Sequence, residues 1–284
     1  MKIELIPTLH IQRELYEMPR DMVRFNWYIE QMTRVNAAGE REVVVPIGAV
    51  NPMGKPHCLV AVNALIALDA ERVAEQAAHE AEQRLSFVNA TARLCINLLD
   101  DVGGGWTNRY FSEAGFRMGA ERSEHAKQIR NFAVVPCWSS EVYTPERIRQ
   151  ETLVTVYLYA WFHVQGVPKM LKEIMRMNGF AGKFASAPSP VRTGEGADGL
   201  CHRRGGGLDA DDLAYTREVI QSYLDSTEFA ITFACLFGDA AARECGYEPM
   251  GLSARAGFAL ALDEAMKSNV TAEEALRTKE EWRL

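Results

Sequence analysis

The chain has 284 residues, of which 48% are hydrophobic and 24% charged, a composition that excludes intrinsic disorder and collagen-like repeats. Lys and Arg number 31 against 38 Asp and Glu, a formal charge of -7, so no cationic surplus exists to neutralise a phosphate backbone and nucleic acid is not expected as a partner. A chain of this length buries a large core without disulfides.

The six cysteines, Cys58, Cys95, Cys137, Cys201, Cys235 and Cys245, include no C-x-x-C pair. That argues against a zinc ribbon or a thioredoxin-type motif and for small buried side chains in a reducing compartment. Acids and a proline interrupt the apolar runs of Met1–Arg20, so secretion is not expected. The most apolar stretch, Leu153–Val164, is shorter than the ~20 residues that span a bilayer. A cytoplasmic protein without membrane contact is the expectation.

In chain order, Met22, Phe25, Ile29 and Met32 recur at helical spacing and predict a helix to about Arg34. Asn36–Gly39 breaks it. The apolar run Val43–Val50 has strand length, although Pro46 cannot donate to a ladder, and Asn51–His57 follows as a loop rich in proline and glycine. Helices are predicted over His57–Leu68 and Glu71–Leu85, with Asp69 as the cap between them. Thr91–Asp101 alternates as a strand and ends at Gly103, Gly104 and Gly105. Weak helical patterning over Tyr110–Arg130 leads to a strand at Phe132–Trp138. Thr144-Pro145-Glu146 then opens a helix to about Gln165. Met170–Asn178 reads as a short helix closed by Gly179, and 186–207 as a Gly/Pro-rich stretch. Further helices are predicted over Asp209–Asp225, Glu228–Cys245 and Ser253–Lys267, and a last one opens on the capping-box spacing Thr271-Ala-Glu-Glu274.

Strands separated by helices imply parallel pairing through crossovers. The expected fold is α/β, a small mostly parallel sheet flanked by helices with a helical C-terminal subdomain; an antiparallel α+β sheet is the alternative. The expected division is an α/β core at 1–185, a flexible loop or lid at 186–208, and a helical part at 209–284.

Ligands of open α/β sheets bind beyond the carboxyl ends of strands, which singles out three loops. The first offers Asn51, Lys55 and His57. The second offers Asp100 and Asp101, the glycines at 103, 104 and 105, then Trp106, Asn108 and Arg109. The third offers Ser139, Ser140 and Glu141. Adjacent acids at a strand end suit a hard divalent cation such as magnesium or manganese, and glycine-run amides with the Arg109 fork suit an anion. His57 or Glu141 is the candidate general acid/base. Cys58 as a nucleophile beside His57 is disfavoured, because neighbours at a helix start diverge by about 100°. Glu75, His79 and Glu82, spaced like metal ligands, lie on a helix polar nearly all round and read as a solvated face. Lys55, Arg109 and the amides would bind a small anionic substrate for hydrolysis or group transfer. The competing expectation is a non-catalytic ligand sensor or a subunit of a homo-oligomeric assembly.

Overall fold

A computed structural model of the chain describes residues 1–102, 108–119, 132–187 and 208–278. Three strands, β1 (Lys2–Leu5), β4 (Thr91–Leu99) and β5 (Phe132–Trp138), form one sheet in the order β1-β4-β5, and both pairings are parallel. The fold is therefore α/β with a small parallel sheet flanked by helices, and the antiparallel alternative is set aside. Its central strand β4 is buried at nearly every position from Ala92 to Leu99, as a parallel strand covered on both faces requires.

The first strand is not where the hydrophobic run predicts it. Residues 44–50 form turns and bends, and the β-branched run contributes only the end of β3 (Arg41–Val43), which pairs antiparallel with β2 (Thr33–Val35) in a separate two-stranded hairpin. Pro46 cannot continue a ladder; its carbonyl instead accepts from Asn97 Nδ2 at 2.6 Å, and Ile47 and Val50 are fully buried without being strand residues. The third strand is β1, four residues that carry two charged side chains and lack a recognisable apolar run.

Between β1 and β4 come α1 (Leu9–Glu17), α2 (Met22–Met32), the hairpin, α3 (Pro56–Ala67) and α4 (Ala70–Arg84). Because β1 pairs with β4 only as far as Leu94, the rest of that β4 edge needs other partners. Gln12 of α1 supplies them: its Oε1 accepts from Leu98 N at 2.8 Å and its Nε2 donates to Ile96 O at 2.8 Å. Glu71 of α4 in turn caps α1, accepting from Thr8 N at 2.6 Å and Leu9 N at 2.9 Å. Asp69 stands at the N-cap of α4 as predicted, but its side chain makes no cap hydrogen bond: the backbone is left-handed, φ 55°, and the carboxylate pairs with Arg72.

After β4 come α5 (Arg109–Met118), β5 and α6 (Pro145–Val164). Residues 120–130 of the predicted helix lie outside the described residues. Compactness divides the chain into one unit of residues 1–109 and 120–156 and another of 110–119 and 157–284, a line that passes within α6. In the first unit, Arg149 of α6 grips Glu80 of α4 through contacts of 2.8–3.1 Å.

The second unit is helical. It contains α7 (Leu171–Ala185), α8 (Ala210–Gln221), α9 (Phe229–Phe237), α10 (Asp239–Glu244), α11 (Ala256–Lys267) and α12 (Ala272–Arg277). Gly179 does not close a helix but lies inside α7, where a Cβ would come within 2.2 Å of the Ala261 carbonyl oxygen of α11; its role is close helix approach, not termination. Gly238, at φ 83°, divides the predicted 228–245 helix into α9 and α10. The start expected at Ser253 falls at Ala256 instead, behind a left-handed Arg255. The caps by Asp209 and by the Thr271–Glu274 box form as the spacing predicts. Of the predicted loop 186–208, residues 188–207 lie outside the described residues. No described helix is long and apolar enough to cross a membrane.

Candidate functional site

At the carboxyl end of β4 the chain turns at Asp100, whose side chain is almost wholly buried. A buried carboxylate persists only if its oxygens are satisfied. Oδ2 accepts from Asn51 Nδ2 at 2.8 Å, while Oδ1 meets Val102 N at 3.2 Å and His57 Nε2 at 2.7 Å. Asn51 is held for this by its own Oδ1, which accepts from Met53 N at 2.9 Å. The loop 51–55 is thus folded around the carboxylate, although it follows no strand of the sheet.

His57 and Cys58 open the first turn of α3, behind Lys55 and with Pro56 at its first position. The imidazole side chain is 29% exposed and connects the buried carboxylate with solvent. Cys58 is fully buried, yet its Sγ lies 3.4 Å from His57 Nε2. Burial, and after it the Asp100 carboxylate, push the thiol pKa up to about 12. As it stands the thiol keeps its proton at neutral pH and is a poor nucleophile. The same His57 nitrogen faces both Asp100 and Cys58, which is not the relay of a nucleophile–base–acid triad, where the two ring nitrogens serve different partners.

Behind Cys58 lies Gly54, where a Cβ would come within 2.8 Å of Cys58 Sγ and 2.7 Å of the Tyr16 ring. Arg24, 1% exposed, donates to Gly54 O at 3.1 Å and rests its guanidinium 5.1 Å from the Tyr16 ring centroid. Burial, and after it the Cys58 thiol, push the buried Tyr16 hydroxyl well above its ordinary pKa. Tyr16, Arg24 and Gly54 form the wall that fixes the Cys58 side of the loop.

Asp101 faces another set of partners. Its carboxylate accepts from Arg109 Nη1 at 2.7 Å, Ser140 N at 2.9 Å and Ser140 Oγ at 2.6 Å, with the Ser139 hydroxyl 3.1 Å away. Arg109 also binds Glu141 and stacks 4.6 Å above Trp138; Arg147 binds Glu141 from the other side. This cluster joins the ends of β4 and β5. It holds Asp101, Arg109, Ser139, Ser140 and Glu141 in mutual contacts, so the Arg109 fork is already engaged by two carboxylates.

The structure therefore brings Asn51, His57 and Asp100 together, as the loop reading expects, and places Lys55 exposed at the start of α3. Gly103, Gly104, Gly105 and Trp106 lie outside the described residues, and Asn108 is exposed just before α5. Asp100 and Asp101 take largely different hydrogen-bond partners, sharing the Ser139 hydroxyl. The single group of three metal-capable side chains among the described residues is His57, Cys58 and Asp100, whose ligand atoms all lie within 4.8 Å of one another. Cys58, set aside on sequence as a nucleophile, is brought next to His57 and Asp100 by the first turn of α3.

Comparison with family models, with curated proteins and with solved structures returns no match for this chain.

Proposed function

We propose that the protein is an enzyme acting on a small anionic molecule by hydrolysis or group transfer, with His57 and Asp100 at its reacting centre. One observation carries the reading: a buried carboxylate, fixed by Asn51 and a backbone amide, is hydrogen-bonded to an imidazole that reaches solvent. Both reaction classes require a water or hydroxyl to lose a proton as it attacks, and such a pair lowers the cost of that loss. Lys55 and the amides of the first turn of α3 favour an anion at the mouth of the site. Glu141 is bound by two guanidinium groups, which leaves His57 as the proton-transfer candidate. The described cysteines are all free, in keeping with a reducing cytoplasmic setting.

The test is turnover of a panel of phosphate and carboxylate esters by the full chain. His57→Gln and Asp100→Asn are each expected to reduce kcat by about 10²–10⁴-fold. Lys55→Ala is expected to raise KM while leaving kcat nearly unchanged, as loss of ground-state binding does. Unaltered turnover in folded His57→Gln and Asp100→Asn proteins would overturn the proposal.

A further inference from the structure

We infer that His57, Cys58 and Asp100 are three protein ligands of a zinc-class ion, with a fourth coordination position left for water or substrate. The inference rests on the reading of this centre as the reacting one and deepens it by naming the cofactor.

The donor set comes first. An imidazole nitrogen, a thiol sulfur and a carboxylate oxygen converge within 4.8 Å. Magnesium and manganese select oxygen donors, whereas a mixed nitrogen, sulfur and oxygen set belongs to zinc and its borderline neighbours. The cation reading of the strand end is thereby moved from the Asp100–Asp101 pair to a different trio and to a softer metal.

The spacing comes second. Zinc bonds of ~2.0–2.3 Å in a tetrahedron place ligand atoms about 3.3–3.8 Å apart. The Cys58 Sγ to His57 Nε2 separation of 3.4 Å already has that length. The His57 Nε2 to Asp100 Oδ1 separation is 2.7 Å, so it must open by about 0.6 Å or more to reach the tetrahedral range. A change of that size is within reach of a partly exposed histidine ring.

The surroundings come third. Asn51 donates to Asp100 Oδ2, the kind of outer-shell bond that orients a ligating carboxylate, while Oδ1 faces His57 and also meets Val102 N and the Ser139 hydroxyl. His57, 29% exposed, marks the side from which an ion enters and on which the fourth position opens. Three protein ligands with one open position is the arrangement of catalytic rather than structural zinc, and the bound ion would lower the pKa of its water to ~7.

The probe is cobalt(II), a spectroscopic stand-in for zinc, titrated into full-length protein stripped with a chelator. The inference expects one equivalent bound, intense visible bands of tetrahedral cobalt and a thiolate-to-metal charge-transfer band in the near ultraviolet. Zinc should displace the cobalt and magnesium should not. Cys58→Ser should abolish the charge-transfer band, whereas Cys245→Ser should leave it intact. Because Cys58 is buried, His57→Gln at the more exposed position provides an independent check. It should weaken cobalt binding by more than the ~10–100-fold that loss of an outer-shell partner costs, and Asn51→Ala should fall within that range.

Failure to bind cobalt or zinc in a folded protein overturns the inference, as does binding that survives both Cys58→Ser and His57→Gln. Full turnover by the stripped protein, still dependent on His57 and Asp100, also overturns it while leaving the proposed reaction in place. Stoichiometric cobalt binding with the expected losses supports the ion site, even where no ester is turned over and the reaction class falls instead.

Discussion

Replacing Asp100 by asparagine changes one oxygen to an amide nitrogen without changing shape, and the structure determines what that costs. The Oδ1 side meets His57 Nε2 at 2.7 Å, Val102 N at 3.2 Å and the Ser139 hydroxyl at 3.4 Å, so the amide oxygen belongs there. The new NH2 group must then face Asn51 Nδ2, which now lies 2.8 Å from an acceptor. Two donors meet in a site where both residues are buried. Asn51 cannot turn its oxygen inward without releasing Met53 N, 2.9 Å from that oxygen. One buried donor left unsatisfied costs about 1–3 kcal/mol, and a neutral acceptor for the imidazole is weaker than a charged one. Asp100→Asn is therefore expected to destabilise the protein by roughly 2–4 kcal/mol. Adding Asn51→Asp restores an acceptor for both the amide at position 100 and Met53 N, and should recover most of the loss. Urea unfolding followed by circular dichroism measures both, with the coupling read from a double-mutant cycle. A single variant within about 0.5 kcal/mol of the parent, or two costs that add instead of cancelling, would refute this account of the site.

Three other outcomes follow from the packing. Arg109→Ala removes a guanidinium from the Asp101 and Glu141 carboxylates, whose side chains are 5% and 3% exposed. It should cost about 3 kcal/mol in urea unfolding, the lower end of the range for broken buried pairs because Ser139, Ser140 and Arg147 remain; a neutral effect would show that the cluster does not tie β4 to β5. Gly179→Ala puts a methyl where the Ala261 carbonyl oxygen is 2.2 Å away, and forcing the helices apart should lower stability by about 1–3 kcal/mol or more; an unchanged unfolding midpoint would contradict the close α7–α11 approach. Burial pushes the Cys58 and Cys235 thiols from the ordinary 9.0 up to about 12, and raises Cys95 and Cys137 as well. The unfolded chain releases these protons above about pH 9 while the folded one keeps them, so their contribution is complete below pH 9 and is lost as pH rises toward 12. Stability should fall by about 1.4 kcal/mol per pH unit for each thiol that follows this course, and a urea midpoint that stays level from pH 8 to pH 10.5 would exclude it.

Much of the fold is written locally, and its failures have local causes. β4 falls where the alternation of Thr91–Asp101 predicts a strand, although it is buried on both faces from Leu94 on, β5 falls at the predicted Phe132–Trp138, and the start of α6 is legible because cap, proline and acid coincide at Thr144, Pro145 and Glu146. β1 is not legible: four residues with two charged side chains give no period, and its strand character comes from pairing with β4. Residues 44–50 mislead in the opposite way. Their hydrophobicity is real and Ile47 and Val50 are core residues, but Pro46 sends the backbone into turns and the carbonyl of Pro46 is satisfied by Asn97 across 51 positions of sequence. Gly179 looks like a terminator for the same reason that it is useful inside α7, since the missing Cβ permits either a helix stop or a close neighbour. The loop Asn51–His57 is picked out by its composition although the strand meant to precede it does not exist. Cys58 escapes because an angular argument treats side chains as spokes from the helix axis, whereas the imidazole is long enough to fold back over its neighbour.

The two adjacent aspartates follow the end of β4 at Leu99, where the chain turns, and they take largely different partners: Asp100 faces the loop before α3 and Asp101 the turn after β5. Apart from the Ser139 hydroxyl, which reaches both, each has its own donors: Asp100 an asparagine amide, a backbone N–H and a histidine, Asp101 a guanidinium and Ser140. The Asp101 cluster closes on itself through Glu141 and Arg147 and immobilises the strand end. On the Asp100 side the partners are an amide and an imidazole rather than a permanent cation, with a thiol next in line. The hydrogen bonds of Asp100 thus run to side chains of the Asn51–Cys58 region, and those of Asp101 to the end of β5.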